Sequence, residues 1–408
     1  MCELRCLRLL AFDEAQNRVL ALAKVVGRSE HVGVMAATGL VLARDERARV
    51  DSPAFDASMM DGYAVRAADV TDAALPVSCE SRAGGSAPTM ALRSACRIFT
   101  GAPLPKEADA VVMQEDTDRE GDLVRFRARP AVGAFVRHRG DDLHAGDVAL
   151  ARGTRLGARE VAMLASLDLC DIDVAPSPRV TIIPTGDELR SPGKGAEHDG
   201  ASIPESTSGA LGLMATRAGA RPIIRAPVRD DATDTRRAFE DALGSSDVLV
   251  TIGGVSVGEH DVVRAALDAC GVELDFWRVA LKPGKPLAVG RRAGTVVLGL
   301  PGNPVSAMIT FAMFGVPLLR AMQGDSRPLP RTWRATLGRA ITRPPSDRLE
   351  LARARWDERG EVVLVEQQTS AAIIGLCLAD VLVCIPPNIE RLDAGATVDV
   401  YSVAELGL

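Results

Sequence analysis

Between residues 179 and 322 the chain alternates two textures. Short β-branched or apolar runs, at 179–184, 222–228, 247–252 and 296–300, are separated by stretches near 208–218, 234–243 and 262–269 whose apolar residues recur every three to four positions. Short apolar runs bounded by turn residues are buried strands, and the three-to-four spacing is one face of a helix. The pattern therefore predicts strand, helix, strand, helix, closed by a long, largely buried helix over 305–322. Gly219 and Gly244 stand where two of the shorter helices stop. Such alternation makes a doubly wound α/β unit.

The flanks read differently. Ala15, Val19, Leu20, Leu22 and Ala23 predict an amphipathic helix over residues 12–26, ended by Gly27. From Asp51 to Arg139 short alternating runs punctuated by Gly and Pro predict strands, and 157–167 reads as a helix again. Beyond 327, apolar and polar residues alternate at 349–356, 361–366, 381–385 and 397–403, as in a small antiparallel β-barrel or sandwich. Ala175-Pro-Ser-Pro178 and Arg327-Pro-Leu-Pro330 have the composition of linkers. The expected domains are residues 1–176 with a β-rich insertion at about 47–140, an α/β domain at 177–326, and a β-barrel at 327–408.

Composition narrows the function classes. With 48 basic against 54 acidic residues the net charge is −6, which argues against a general nucleic-acid binder or a membrane-surface protein. An anionic ligand then has to be held by local cationic clusters. The eight cysteines form no CxxC pair, so the expectation is reduced thiols rather than a disulfide framework or thiolate metal site. The N-terminal apolar patch at 7–12 is short and interrupted by Arg8. Neither a signal peptide nor a membrane span is read, and a cytoplasmic location is expected.

Four strand-to-loop junctions carry the candidate chemistry. In Val296-Val-Leu-Gly-Leu-Pro-Gly-Asn-Pro-Val-Ser306, Asn303 suits a helix cap and Pro304 the first helical position. Pro301, Gly302, Asn303 and Pro304 would thus leave a helix N-terminus open to an anion. The run starting at Arg179 ends in Asp187 and Glu188, and Gly253-Gly-Val-Ser-Val-Gly258 is followed by Glu259, His260 and Asp261. Trp277-Arg-Val-Ala-Leu-Lys-Pro-Gly-Lys-Pro286 sets Arg278, Lys282 and Lys285 around a Gly/Pro turn. In an open parallel sheet such loops share one edge, where ligands bind.

Asp187, Glu188 and Asp261 offer the oxygen ligands that Mg²⁺ prefers; the alternative, that Asp187 and Glu188 cap a following helix, stays open. The Gly253, Gly254, Ser256 and Gly258 loop has neither the dinucleotide nor the P-loop spacing. It can form a nest of N–H groups with the Ser256 hydroxyl on a phosphate. His260 reads as a surface or packing residue. Lys282 and Lys285 read as a clamp rather than a solvated face, because Pro283, Gly284 and Pro286 fix the backbone between them.

These segments, together with Phe55-Asp-Ala-Ser-Met-Met-Asp-Gly-Tyr-Ala-Val65, Phe99-Thr-Gly-Ala-Pro-Leu-Pro105, Ala108-Asp-Ala-Val-Val112, Arg139-Gly-Asp-Asp142 and Ala145-Gly146, resemble the molybdopterin molybdenumtransferase family, the MoeA-like proteins related to the eukaryotic gephyrin E domain. The resemblance runs in the family's order from about residue 51 to 306 and loosens in the last eighty. It implies a MogA-like α/β domain, a β-rich insertion domain and a small C-terminal barrel, assembled as an elongated homodimer. It also implies a reaction: molybdate enters adenylylated molybdopterin, the product of an upstream adenylyltransferase, with Mg²⁺-dependent loss of AMP.

Carried over by position, the resemblance assigns Glu188 and Asp261 to the magnesium and pyrophosphate region. Lys282 and Arg278 fall against molybdate or phosphate, and Pro301 and Pro304 shape the anion turn. Asp61, Thr100 and Asp142 would complete the site across the dimer interface, and Ser370 would touch the pterin. Ala57, Met59 and Thr207 depart from the family's usual residues. Three rivals remain at this point: a tungsten-specific version of the reaction, a non-catalytic gephyrin-like scaffold, and a pterin adenylyltransferase. The N-terminal motifs and β-rich tail oppose the last of these, and the retained acidic and cationic residues oppose the scaffold.

Overall fold

The computed structural model describes residues 9–25, 27–193, 202–255 and 262–408. Its centre is an α/β unit with β1 (Arg179–Pro184), α1 (Thr207–Arg217), β2 (Arg221–Ile224), α2 (Ala232–Ser245), β3 (Val248–Ile252), α3 (Val262–Ala269), β4 (Glu273–Arg278), β5 (Pro286–Arg292), β6 (Thr295–Leu300) and α4 (Pro304–Thr310). The sheet order is β2-β1-β3-β6-β5-β4. The first four strands are parallel; β5 is antiparallel to β6, and β4 to β5. The sheet is therefore mixed, because only Ala293 and Gly294 separate β5 from β6 and so short a loop permits only a hairpin. Two reversals return β4 to the direction of β6, so the cationic turn after β4 still lies at the edge where β1, β3 and β6 end.

Along β1, β3 and β6 both faces of this sheet are buried, whereas the edge strand β2 leaves Ile223 and Ile224 exposed. Val180, Ile182, Val248, Val250, Leu298 and Leu300 pack on one side with α1 and the α4 region, while Ile183, Leu249 and Val297 pack with α2 and α3 on the other. The first helix, Phe12–Ala21, ends earlier than its apolar spacing suggests and joins the former core, with Phe12 edge-on to Phe314 at 5.6 Å.

The helix expected over 305–322 is interrupted by a π turn, Phe311–Gly315, before resuming as Val316–Met322. Pro317 has no N–H for the carbonyl of Met313, four residues back. Gln16, only 7% exposed on an otherwise apolar face, donates its Nε2 to that carbonyl at 3.0 Å. By length and hydropathy Pro304–Met322 would span a bilayer, but 83% of its apolar window is buried in the domain.

The β-rich insertion folds as a six-stranded sheet containing Gly62–Val65, Leu75–Ser81, Ala95–Ile98, Ala110–Met113, Thr117–Glu120 and Leu123–Phe126. The segments flanking it pair Glu30–Gly33 with Asp171–Val174 and pack Ala158–Ser166 over Leu42, Leu156 and Ile172. At the C-terminus, Leu349–Trp356, Val381–Ile385, Thr397–Ser402 and Trp333–Thr336 pair in sequence. Val362–Leu364 pairs with Leu349–Trp356, and a bridge from Leu337 to Val362 closes the sheet on itself, so the barrel rather than the sandwich forms. Leu281–Lys282, from the turn after β4, adds in parallel to Leu349–Glu350 and ties the barrel to the α/β unit.

Candidate functional site

The ends of β1, β3 and β6 open into a cleft of about 810 Å³. Its walls include Thr185, Gly186 and Glu188 after β1, Gly253, Gly254 and Val255 after β3, and Pro301, Gly302, Asn303 and Pro304 after β6. The turns approach one another closely. A Cβ on Gly253, whose φ is +92°, would stand 2.6 Å from the Thr185 carbonyl, and one on Gly302 would be 3.5 Å from the Gly253 Cα. Only glycine fits at 253, whose own N–H is spent on the Leu300 carbonyl at 3.1 Å, while at 302 a Cβ would make an ordinary contact. From behind, the buried Trp277 fixes the second turn by donating Nε1 to the Val255 carbonyl at 3.1 Å.

The two acidic residues after β1 part company. Glu188 lines the cleft, and its carboxylate has no hydrogen-bond or ion-pair partner among the described residues. Asp187 does not line it; its Oδ1 pairs with Arg229 at 3.4 Å and accepts from the Asp230 backbone at 3.3 Å. Neither caps a helix, since the short strand Leu189–Arg190 follows. Ser256, Gly258, Glu259, His260 and Asp261 lie outside the described residues.

Asn303 does occupy the cap position before Pro304, but its side chain does not cap the helix. Instead Nδ2 donates to Ser370 Oγ at 3.0 Å, and the Ser370 carbonyl accepts from Val305 N at 3.2 Å. The helix start expected to be open is thus partly capped by the C-terminal barrel. The same contact brings Ser370 to the cleft mouth, where Ala371 is a lining residue.

The three cations diverge from the expected clamp. None of Arg278, Lys282 and Lys285 lines the cleft, although Pro286 does. Lys282 turns to the barrel and pairs with Glu350 Oε1 at 2.8 Å, remaining 44% exposed. Lys285 is exposed, and its carbonyl accepts from Val279 N at 3.1 Å.

The N-terminal candidates form a separate cluster away from the cleft lining. Asp61 Oδ1 accepts from Thr100 N at 2.7 Å and Thr100 Oγ1 at 2.8 Å. The backbone amide of Thr100, then its hydroxyl, hold the Asp61 carboxyl below its ordinary pKa. Asp142 pairs with Arg137 and accepts from Ser52 Oγ at 3.2 Å.

Residues 10–167 match the MoeA N-terminal region (domain I and II), 181–321 a probable molybdopterin binding domain, and 334–403 the MoeA C-terminal region (domain IV). The Mycobacterium tuberculosis protein named molybdopterin molybdenumtransferase 2 is 35% identical over 404 residues, 96% of this chain and 99% of that one. The chain belongs to the MoeA family. The Haemophilus influenzae molybdopterin molybdenumtransferase is 34% identical over 78% of this chain and 79% of its own. A crystal structure of the molybdopterin biosynthesis MoeA protein from Pyrococcus horikoshii superposes with a TM-score of 0.81 at 28% identity, covering 97% of this chain and all of that one.

In this MoeA-family chain the structure adds residues that sequence reading passed over. Asp230 lines the cleft; its only signal was its place two residues past a predicted strand. Glu205 also lines it and caps α1, accepting from Thr207 N at 2.7 Å and Ser208 N at 2.8 Å. That helix start is already filled by a carboxylate and is closed to a ligand anion. Arg353 is 1% exposed, and its Nη1 donates to the Thr369 carbonyl at 3.0 Å, bracing the turn that delivers Ser370. A signal for it existed: Arg353 falls in alternation with Leu349 and Leu351, on a face that ought to be apolar.

Proposed function

We propose that this chain is a molybdopterin molybdenumtransferase: it takes adenylylated molybdopterin and molybdate, places molybdenum on the dithiolene, and releases AMP. The observation that supports this most is the company Glu188 keeps. A carboxylate without a partner among the described residues shares one cleft with two glycine turns and the start of α4. Strongly anionic substrates need such an arrangement, in which fixed amides and dipoles face phosphate oxygens without reorganising when charge shifts.

The roles follow from position. Gly254, Gly302 and Asn303 bind the phosphates through their amides, Gly253, whose N–H is spent on the Leu300 carbonyl, shapes the first turn, and Ser256 and Gly258, outside the described residues, join them by the sequence motif. Pro301 and Pro304 set the shape of the turn. As water attacks the phosphoanhydride and yields AMP and the molybdopterin phosphate, charge accumulates on the departing phosphate, and the cleft amides stabilise it. Lys282, Lys285 and Arg278, on the neighbouring turn, supply positive charge to molybdate or phosphate entering from the barrel side. Ser370 orients the pterin from the barrel.

Magnesium fits the donor set. Glu188 and Asp230 in the cleft are two hard oxygen donors of the kind Mg²⁺ takes alongside phosphates and water; Asp261, outside the described residues, is assigned to the ion by its sequence motif alone. Asp187, tied to Arg229, is the weaker candidate ligand. When bound, the ion would neutralise phosphate charge. Asp61, Thr100 and Asp142 reach a cleft only as contributions from a second copy in a homodimer. The upstream adenylyltransferase is the partner that hands over the labile substrate.

The test is direct. With adenylylated molybdopterin, molybdate and Mg²⁺, AMP release is expected to depend on both the oxyanion and the divalent ion. Absence of AMP release from the intact protein under these conditions refutes the reading.

A further inference from the structure

We propose that Glu350, on the C-terminal barrel, is a positioning residue that holds the Lys282 ammonium where the anionic substrate meets it. The inference rests on the assignment of Lys282 to substrate binding made above. Four observations carry it. Leu281–Lys282 is hydrogen-bonded as a parallel strand to Leu349–Glu350, so the backbones of the two residues are locked in register. Glu350 is 9% exposed and divides its carboxylate, with Oε1 on Lys282 Nζ at 2.8 Å and Oε2 on Arg343 Nη1 at 2.8 Å.

Arg343 is itself anchored, donating Nε to the Ile389 carbonyl at 2.8 Å and Nη2 to the Pro386 carbonyl at 2.6 Å, with its side chain 8% exposed. Lys282, by contrast, stays 44% exposed and has donors to spare.

The arrangement has a direction. Arg343 is fixed by two carbonyls, Glu350 is fixed by Arg343, and Lys282 is the member left facing solvent. The charges add in the same sense. Two cations around one carboxylate leave a net positive charge, so fixing the ammonium does not cancel its attraction for an anion. Burial pushes the Glu350 carboxyl up, but the hydrogen bonds from Lys282 and Arg343 outweigh it and hold the group below its ordinary pKa, so it stays ionised. A flexible lysine loses several rotors on binding, and a carboxylate that preselects its position removes part of that cost.

The experiment is a double-mutant cycle in the full-length protein, read by AMP release with molybdate and adenylylated molybdopterin varied separately. Lys282→Met alone establishes what the ammonium contributes. Glu350→Gln is expected to lower kcat/KM about tenfold, chiefly through KM, in the manner of a displaced binding group. If Glu350 acts through Lys282, the Lys282→Met/Glu350→Gln double variant is no worse than Lys282→Met, within about twofold.

Equal losses from Glu350→Gln with and without Lys282, or wild-type KM and kcat in Glu350→Gln, overturn the inference. Wild-type kinetics in Lys282→Met overturn the underlying assignment instead, which keeps the two failures apart. Because Glu350→Gln leaves Arg343 buried without its partner, the cycle is repeated with Arg343→Met/Glu350→Met. That pair removes both buried charges together, an exchange folds tolerate better than breaking one, and the same non-additivity with Lys282→Met is expected.

Discussion

The cleft at the end of the α/β sheet and the acidic cluster of the N-terminal region are built from similar residues and left in opposite states. In the N-terminal region Asp61 is held by Thr100, Asp142 by Arg137 and Ser52, and Asp51 by Arg139 and the Ala145 amide. Their hydrogen-bonding capacity is largely spent on the fold. In the cleft Glu188 has no described partner, and the turns at 253–254 and 301–303 face open volume. The cleft is therefore where a ligand finds unused polar groups, while the N-terminal cluster presents a fixed surface whose carboxylates are already satisfied within the fold.

The sharpest way to break this contrast is Glu188→Ala. The exposed carboxylate supports nothing in the fold, so kcat/KM for AMP release should fall about a hundredfold while the thermal unfolding midpoint stays put. A variant that unfolds early, with residual activity per folded molecule unchanged, would place Glu188 among structural residues. Gly253→Ala comes next. Its Cβ would meet the Thr185 carbonyl at 2.6 Å with φ at +92°, and urea unfolding should show a loss of about 1–3 kcal/mol together with impaired AMP release; unchanged stability would mean the turn is looser than its geometry.

Asp61→Asn probes the other side, with activity about tenfold lower and little change in folding. Co-expressing it with Glu188→Ala sharpens the comparison. If the cluster serves a partner's cleft, random pairing leaves one intact site in half of the dimers and restores about a quarter of wild-type activity. Activity no higher than the parents' sinks the shared site. The smallest effect is a pH dependence at the barrel edge, where Glu350 is paired like the N-terminal carboxylates but sits beside the candidate clamp. Its folded pKa is depressed below 4.5, so its stabilising contribution is complete above that value and is lost as pH falls through the lower folded one. Urea unfolding between about pH 6 and pH 3 should then be less steep in Glu350→Gln than in wild type. Identical profiles would show that the carboxylate gains nothing from its partners.

Much of this protein was legible in residue order alone. Burial with a period of two or of three to four positions located the α/β unit, its turns and the alternating tail, and glycine and proline marked the loops because few other residues tolerate those backbones. The same reading took the sheet as an open parallel one, without the hairpin at its edge, and expected a clamp of three cations. The Ala293–Gly294 hairpin reversed β5, and the barrel claimed Lys282. Pattern reports how each segment shares itself between core and solvent, a property of neighbours along the chain. Which charge a lysine meets, whether a helix start is capped by Ser370 or a carboxylate by Arg229, depends on segments far apart in sequence arriving within hydrogen-bond range. Only the packed tertiary structure decides that.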